Sequence, residues 1–276
     1  MFVSDTASKS RGMSKLSTVF KRKPTVSVVR LQGAIGMGRS GISDRNVTDM
    51  LNKAFKRGKP KAVALEINSP GGSPVQSSLI GARIRRLSEE KDVPVIAFVE
   101  DVAASGGYWI ASAADEIFAD PSSILGSIGV ISAGFGAHVF LQRQGFERRV
   151  YTAGKSKSML DPFRPEQEED VERLNRLLEQ LHGNFIDQVK TRRGDKLADD
   201  PDLFTGEVWL GQSAVDVGLA DGIGHLEKVM KERFGDDVNF RRYGQKKGLL
   251  SRFGAEMTDQ AFTQIEERAA YARFGL

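Results

Sequence analysis

Residues Thr25 to Leu31 read TVSVVRL, a β-branched run that predicts a strand. Beyond a glycine-punctuated loop, Val47, Met50, Leu51, Ala54 and Phe55 recur at the spacing of one helix face, which Gly58 closes. Ala62 to Ile67 (AVALEI) predicts a short buried strand, Asn68 to Gly72 (NSPGG) a turn, and Ser73 with Pro74 the opening of a helix. A further strand, Val93 to Val99, is expected to end at Glu100 and Asp101 and to pass into the small-residue segment Ala103 to Ala114. Strand, turn and helix thus recur at intervals of about 30 residues, the pattern of parallel strands with crossover helices, whose ligands bind at the carboxyl ends of the strands. Farther on, the apolar patches Glu116 to Ala119, Ile128 to Ile131 and Val150 to Thr152 alternate with turns. From Glu166 to Lys190, Val171, Leu174, Leu177, Leu178, Leu181, Phe185, Ile186 and Val189 form the stripe of a long amphipathic helix, expected to face the core or another subunit. A shorter helix is expected near Glu256 to Ala272.

Charge changes this picture at the ends. Residues 1–24 carry six Lys or Arg against Asp5, and residues 241–276 carry seven against four acids, whereas the stretch between is net acidic. The first 24 residues, rich in Ser, Lys and Arg, bury too little apolar surface to order themselves and are read as a tail ending at Pro24. Neither a run of about 20 apolar residues nor the apolar core of a secretory signal occurs, so a cytoplasmic protein is expected.

Cysteine is absent, which excludes disulfides, thiolate metal sites and a cysteine nucleophile. The three histidines, His138, His182 and His225, sit beside no serine or acid in a hydrolase-like motif, so they are read as surface or capping residues and a Ser-His-Asp triad is poorly supplied. Two glycine-rich turns remain, each after an apolar strand and before a helix: Asn68 to Gly72 and Ala103 to Gly107. In the second, Ser105 lies between Ala104 and Gly106, uncrowded and near a positive helix end; it suits either a nucleophile or a helix cap. A serine nucleophile needs a base, and a lysine can serve when it is neutral. The segment Ala153 to Phe163 offers Lys155 and Lys157, and spacing does not choose between them.

The segments NSPGG, ASGGYWIA, GSIGVIS and GKSKSMLDPF, in this order, resemble the signal peptide peptidase A family of Ser-Lys peptidases, and Thr205 to Gly224 (TGEVWLGQSAVDVGLADGIG) resembles that family's C-terminal signature. The resemblance covers residues 25 to 235. It implies Ser105 as nucleophile, Lys157 as general base with Lys155 its neighbour, Ser127 as the hydroxyl that orients the lysine, and the amides of Gly72 and Gly106 as the oxyanion hole. It implies hydrolysis of peptide bonds in signal peptides or other unfolded, apolar peptides, without metal or organic cofactor. The expected fold is α/β, a ClpP/crotonase-like spiral of β-β-α units. The expected divisions are a basic disordered tail at 1–24, a peptidase domain at 25–240 and a basic extension with a short helix at 241–276.

A short single-repeat member is expected to form a homo-oligomer, a ring or dome, and whether its protomers complete one another's sites is left open by the sequence. Family members often begin with a membrane anchor that this sequence lacks, so weak peripheral membrane contact through the basic tails is one expectation. Nucleic acid is not an expected partner, because the tails lack interleaved aromatics apart from Phe20, Phe240, Tyr243 and Phe253. Two alternatives share the fold: a crotonase-like acyl-CoA enzyme, with Glu100 or Asp101 near the turn, and a non-catalytic peptidase-like scaffold.

Overall fold

The computed structural model describes residues 23–36, 41–244 and 268–276. The expected tail up to Arg22, and the part of the expected last helix before Arg268, lie outside these residues; residues 268–272 are helical. The elements are β1 (Thr25–Gln32), α1 (Asp44–Lys56), β2 (Ala62–Ser69), α2 (Pro74–Lys91), β3 (Val95–Ala104), α3 (Gly106–Ser112), β4 (Glu116–Ala119) and β5 (Ile124–Gly126). They continue with α4 (His138–Arg143), α5 (Glu168–Arg193), β6 (Val208–Leu210), α6 (Gly211–Asp216), β7 (Gly222–Ile223), α7 (Leu226–Phe234) and β8 (Asn239–Tyr243).

Among the described residues these strands form one sheet in the order β6-β5-β3-β2-β1-β8, with β4 between β3 and β7. All pairings are parallel except β5 with β6. The alternation of strand side chains explains the layers. Val29, Leu31, Val63, Leu65 and Ile67 pack with the buried faces of α1 and α2, whereas Val26, Val28, Ala62, Ala64 and Ile96 pack with Leu226 and Met230 of α7. Apolar residues on both faces of a strand are the mark of a parallel sheet covered on both sides.

Local chemistry sets the helix starts. Ser43 caps α1 by accepting from the N–H of Asn46, and Ser73 caps α2 by accepting from that of Gln76, with Pro74 at the first helical position. Arg83 of α2 donates two hydrogen bonds, 2.6 and 2.7 Å, to the Asp44 carboxylate in the first turn of α1, tying the two helices together.

β3 differs from the sequence expectation. It does not stop at Glu100 and Asp101 but continues to Ala104, with a register shift against β2 at this polar pair. Its residues Ile96–Val99 pair with β4 and Val102–Ala104 pair with β5, so one strand serves two neighbours in succession. Short β5, β6 and β7 carry too few residues for a periodic signal, and β8 was hidden among charges. β8 pairs with β1 through Tyr243 and so crosses the boundary drawn at residue 240.

Candidate active site

The two glycine turns meet at the carboxyl ends of β2 and β3. A methyl group on Gly71 would lie 2.8 Å from the Ser105 Cβ and 2.9 Å from the Gly106 nitrogen, and one on Gly106 would lie 3.4 Å from the Gly72 nitrogen. Glycine is required here because the backbones approach too closely for any side chain. Gly72, at φ 144°, would also drive a methyl group into the Ile35 carbonyl oxygen. The first turn is fixed from behind: the Ser69 hydroxyl donates to the Gly33 carbonyl at 2.7 Å, and the Gly71 carbonyl accepts from the Ile35 N–H at 2.8 Å.

Ser105 joins β3 to α3 with φ 51° and ψ −123°, a conformation unfavourable for a residue with a Cβ, and its side chain caps nothing. Of the two roles open to this serine in the sequence, capping by its hydroxyl is therefore unfilled. Its N–H donates to the Gly126 carbonyl at 2.8 Å, which places Ser127 beside it. Ser127 is buried, lies at φ 50°, and donates its N–H to Glu207 in the TGEVW segment at 2.7 Å. Ser105, Gly72, Gly106 and Ser127 are thus brought together.

Lys157 makes no side-chain hydrogen bond or ion pair with any of them among the described residues. It sits in an exposed turn between Gly154 and Leu160, its N–H donating to the Gly154 carbonyl at 3.2 Å, and its ammonium meets no partner among the described residues. Lys155 forms an ion pair of 2.8 Å with Glu169, in the first turn of α5, and this contact holds the Glu169 carboxyl below its usual range. The two lysines that spacing left equivalent therefore differ: one is engaged and the other is free. An open cavity of about 1030 Å³ lies between residues 132–138 and the start of α5; Lys155 and Ser158 line it, and Ser105 does not.

The segment carrying Lys157 is held by residues that the sequence pattern did not single out. Arg148 donates to Asp161 at 2.9 Å and lies over the Phe163 ring. The Arg148 hydrogen bond, helped by the N–H of Phe163, keeps the Asp161 carboxyl below the ordinary carboxylate range. Between Gly126 and Phe163 the chain exposes Ile131, Phe135, Phe140, Phe146 and Tyr151, the last at 90%. Of the long stripe on α5, Phe185 and Val189 are buried, whereas Leu177 and Leu181 are exposed.

The histidines divide. His225 contacts Asp120 at 2.8 Å and His138 begins α4, while His182 of α5 contacts the Ile128 carbonyl at 3.0 Å, one residue past Ser127. The C-terminal signature supplies a buried support. Arg193, 3% exposed, donates to the Gly218 carbonyl and to Asp221, which also receives Lys196 and the N–H of Ile117. Burial pushes the Asp221 carboxyl up, but hydrogen bonds from Arg193 and Lys196 and the Arg193 charge outweigh it and hold the group below its usual range. Tyr108 of the Ser-Gly-Gly helix donates its buried hydroxyl to the Leu219 carbonyl at 2.9 Å, linking this support to α3. At the other chain end Tyr271 donates to the Asn68 carbonyl at 2.8 Å, beside the first glycine turn. None of these contacts has a local sequence signal, since each joins residues far apart in the chain.

Among the described residues no group of acids and histidines is arranged to hold a metal ion, and no helix is long and apolar enough to cross a membrane.

Comparison with known proteins identifies the family. Residues 88–236 match Peptidase family S49. Over 208 residues the chain is 33% identical to the chloroplastic serine protease SPPA of Arabidopsis thaliana, covering 74% of this chain and 30% of that protein. It is 30% identical over 192 residues to a putative signal peptide peptidase SppA of Enterococcus faecium, covering 70% and 56%. A Brucella abortus protein named Na(+)/H(+) antiporter NhaA is 48% identical over 271 residues, covering 91% of this chain and 37% of its own length. The chain thus spans about a third of the Brucella and Arabidopsis relatives. On the family match and these relatives, the chain belongs to Peptidase family S49, the signal peptide peptidase A family of serine-type peptidases.

Proposed function

We propose that the protein is a Ser-Lys endopeptidase in which Ser105 is the nucleophile, Lys157 the general base, Ser127 the group that orients the lysine, and the amides of Gly72 and Gly106 the oxyanion hole. The observation that carries this reading is Ser105 itself, held at φ 51° at the end of β3 with Gly71 of the first turn packed closely against it. Neutral Lys157 takes the proton from Ser105 Oγ as the oxygen attacks the peptide carbonyl. The backbone amides hold the developing oxyanion, each such donor typically worth about 3–4 kcal/mol. Lysine then protonates the leaving amine, and water releases the acyl group in a second cycle through the same base.

A free, exposed lysine is a poor base, because water stabilises its charged form. The reading therefore includes a homo-oligomer, in which the segment bearing Lys157 packs on a neighbour and delivers the amine to that neighbour's Ser105. The apolar side chains exposed between Ile131 and Tyr151, and Leu177 and Leu181 on α5, support such an interface. Signal peptides or other unfolded, apolar peptides are the proposed substrates, a class that fits the name of the Enterococcus relative. The antiporter name of the Brucella relative belongs to a polypeptide of which this chain matches 37%, and the proposal concerns the matched portion.

The test compares wild type with Ser105→Ala, Lys157→Ala and Lys155→Ala on a denatured protein and a fluorogenic apolar peptide. Loss of turnover in the first two with retention in the third, and a wild-type rate that climbs with pH, support the dyad. Mixing Ser105→Ala with Lys157→Ala protein restores part of the activity if sites are shared between protomers. Equal cleavage by all four proteins refutes the dyad, and acyl-CoA binding without cleavage favours the crotonase-like reading. Failure of a serine-reactive phosphonate to label Ser105 favours the scaffold.

A further inference from the structure

The folded body carries a second surface feature, at the end opposite the glycine turns. Lys53, Lys56, Arg57, Lys59 and Lys61 place five cations in nine residues with no acid among them, while the rest of residues 25–240 is net acidic. All five are exposed, and among the described residues none forms an ion pair. Topology explains why they gather. β1 and β2 are parallel, so the intervening α1 runs back and delivers its last turn, with Lys53, Lys56 and Arg57, to the end where β2 begins. Hydrogen bonds lock this corner: the Lys61 N–H donates to the Thr25 carbonyl at 2.8 Å, and Arg241 of β8 donates to the Arg57 carbonyl at 2.7 Å. Arg241 and Lys23 extend the patch, and Lys23 pairs with Asp237 at 3.1 Å, which with exposed Asp236 supplies the neighbouring negative charge. Lys21 and Arg22 precede Lys23 in the sequence, so the basic character continues into the chain before it.

We propose that this corner is an electrostatic docking surface for an anionic lipid bilayer, and that it fixes the orientation of the enzyme. Lysine predominates, a point charge that suits a diffuse anionic surface rather than the paired contacts by which arginine reads bases. Of the aromatics at this corner, Phe55 is buried, and Tyr243 is half-buried with its hydroxyl donating to the Lys53 carbonyl, so no ring lies fully open for stacking among the described residues. Each Lys or Arg near such a bilayer typically strengthens partitioning about five-fold, within a Debye length of the surface. The eight residues of β2 set the corner about 26 Å from the glycine turns. Docked this way, the protein turns Ser105 away from the lipid and takes substrate from the aqueous side. This proposal does not depend on the Ser-Lys assignment.

The test is co-sedimentation of the full chain with phosphatidylcholine vesicles with and without phosphatidylglycerol, at low and high salt. The expected result is binding to the anionic vesicles alone, weakened by salt, with Lys56→Ala/Arg57→Ala/Lys59→Ala reducing partitioning about 100-fold. Lys56→Arg/Lys59→Arg should keep it, and an unchanged melting temperature excludes unfolding. Because the chain has no cysteine, a fluorophore can be placed at Lys61→Cys or, at the start of α2, Val75→Cys. Lipid-borne quenchers should reach the first and not the second. Equal binding by the triple alanine variant, quenching at Val75→Cys, or tighter binding to an RNA duplex lost in the same variant would each overturn the proposal.

Discussion

Replacing Asp221 by alanine tests the claim that the C-terminal signature is a structural support for the helix that follows Ser105. In the folded protein its carboxylate receives Arg193 at 2.7 Å, Lys196 at 2.6 Å and the Ile117 N–H at 2.8 Å. Arg193 is 3% exposed, so removal of Asp221 leaves a buried guanidinium whose remaining partner is the Gly218 carbonyl. Breaking one side of such a pair typically costs about 3–5 kcal/mol. For a domain of this size each kcal/mol lowers the melting temperature by roughly 2–4 °C, so a fall of about 6–20 °C is expected by calorimetry. Asp221→Ala/Arg193→Met should recover part of it, because no charge is then left without a counterpart. Acid adds a sign. The folded carboxyl lies below its ordinary value, so its stabilisation is complete above the range where the unfolded chain titrates and is lost as pH falls through the folded value. Wild type should therefore lose stability more steeply than Asp221→Asn below about pH 4. A melting temperature within about 2 °C of wild type for Asp221→Ala would refute the reasoning.

Three further outcomes can be checked. Ser105→Gly should be inactive yet melt higher than Ser105→Ala, because glycine relieves a strained φ of 51° that typically costs about 1–3 kcal/mol in a residue with a Cβ. Gly107→Ala would set a methyl group 2.4 Å from the Ser69 carbonyl oxygen; it should cost about 1–3 kcal/mol in denaturant unfolding and reduce turnover by displacing the turn that carries Gly72. Asp44→Ala should cost about 1 kcal/mol by separating α1 from α2. Because the Arg83 hydrogen bond holds the Asp44 carboxyl below its usual value, that difference should shrink in an acid titration as pH falls through the folded value.

What the sequence made legible follows from the range of each signal. The helix face from Val47 to Phe55, the Ser73-Pro74 start and the strand Ala62 to Ile67 are written in neighbouring residues, and each formed where periodicity and capping put it. Glu100 and Asp101 misled because two polar residues usually end a buried strand. Here they occupy a register shift in which Arg30 reaches Glu100 and Asn68 reaches Asp101. At the site, the sequence set each glycine turn at a strand end and only the family resemblance paired Gly72 with Gly106, whereas Arg148, His182 and Arg193 act across the chain and leave no local trace. Lys157 shows the opposite limit: the motif marks it, but a motif carries no information about what its amine faces in space.

The divided pairing of β3 has a kinetic consequence. Ala103 is paired with Ser69 of β2 on one side and with Leu125 of β5 on the other, Val102 and Ala104 flank it in the pairing with β5, and all three are fully buried. Each amide proton is held on one side of the strand, but because all three residues are buried, exchange needs an opening wide enough to admit water, an event that approaches global unfolding in cost. The residues just before Ser105 are therefore expected to be among the last in the molecule to take up deuterium, while those around Lys157, in their exposed turn, should be among the first. The two halves of the proposed dyad would then sit at opposite ends of the protein's own timescale of motion, and packing against a neighbour would be read directly as slowed exchange between Gly154 and Leu160.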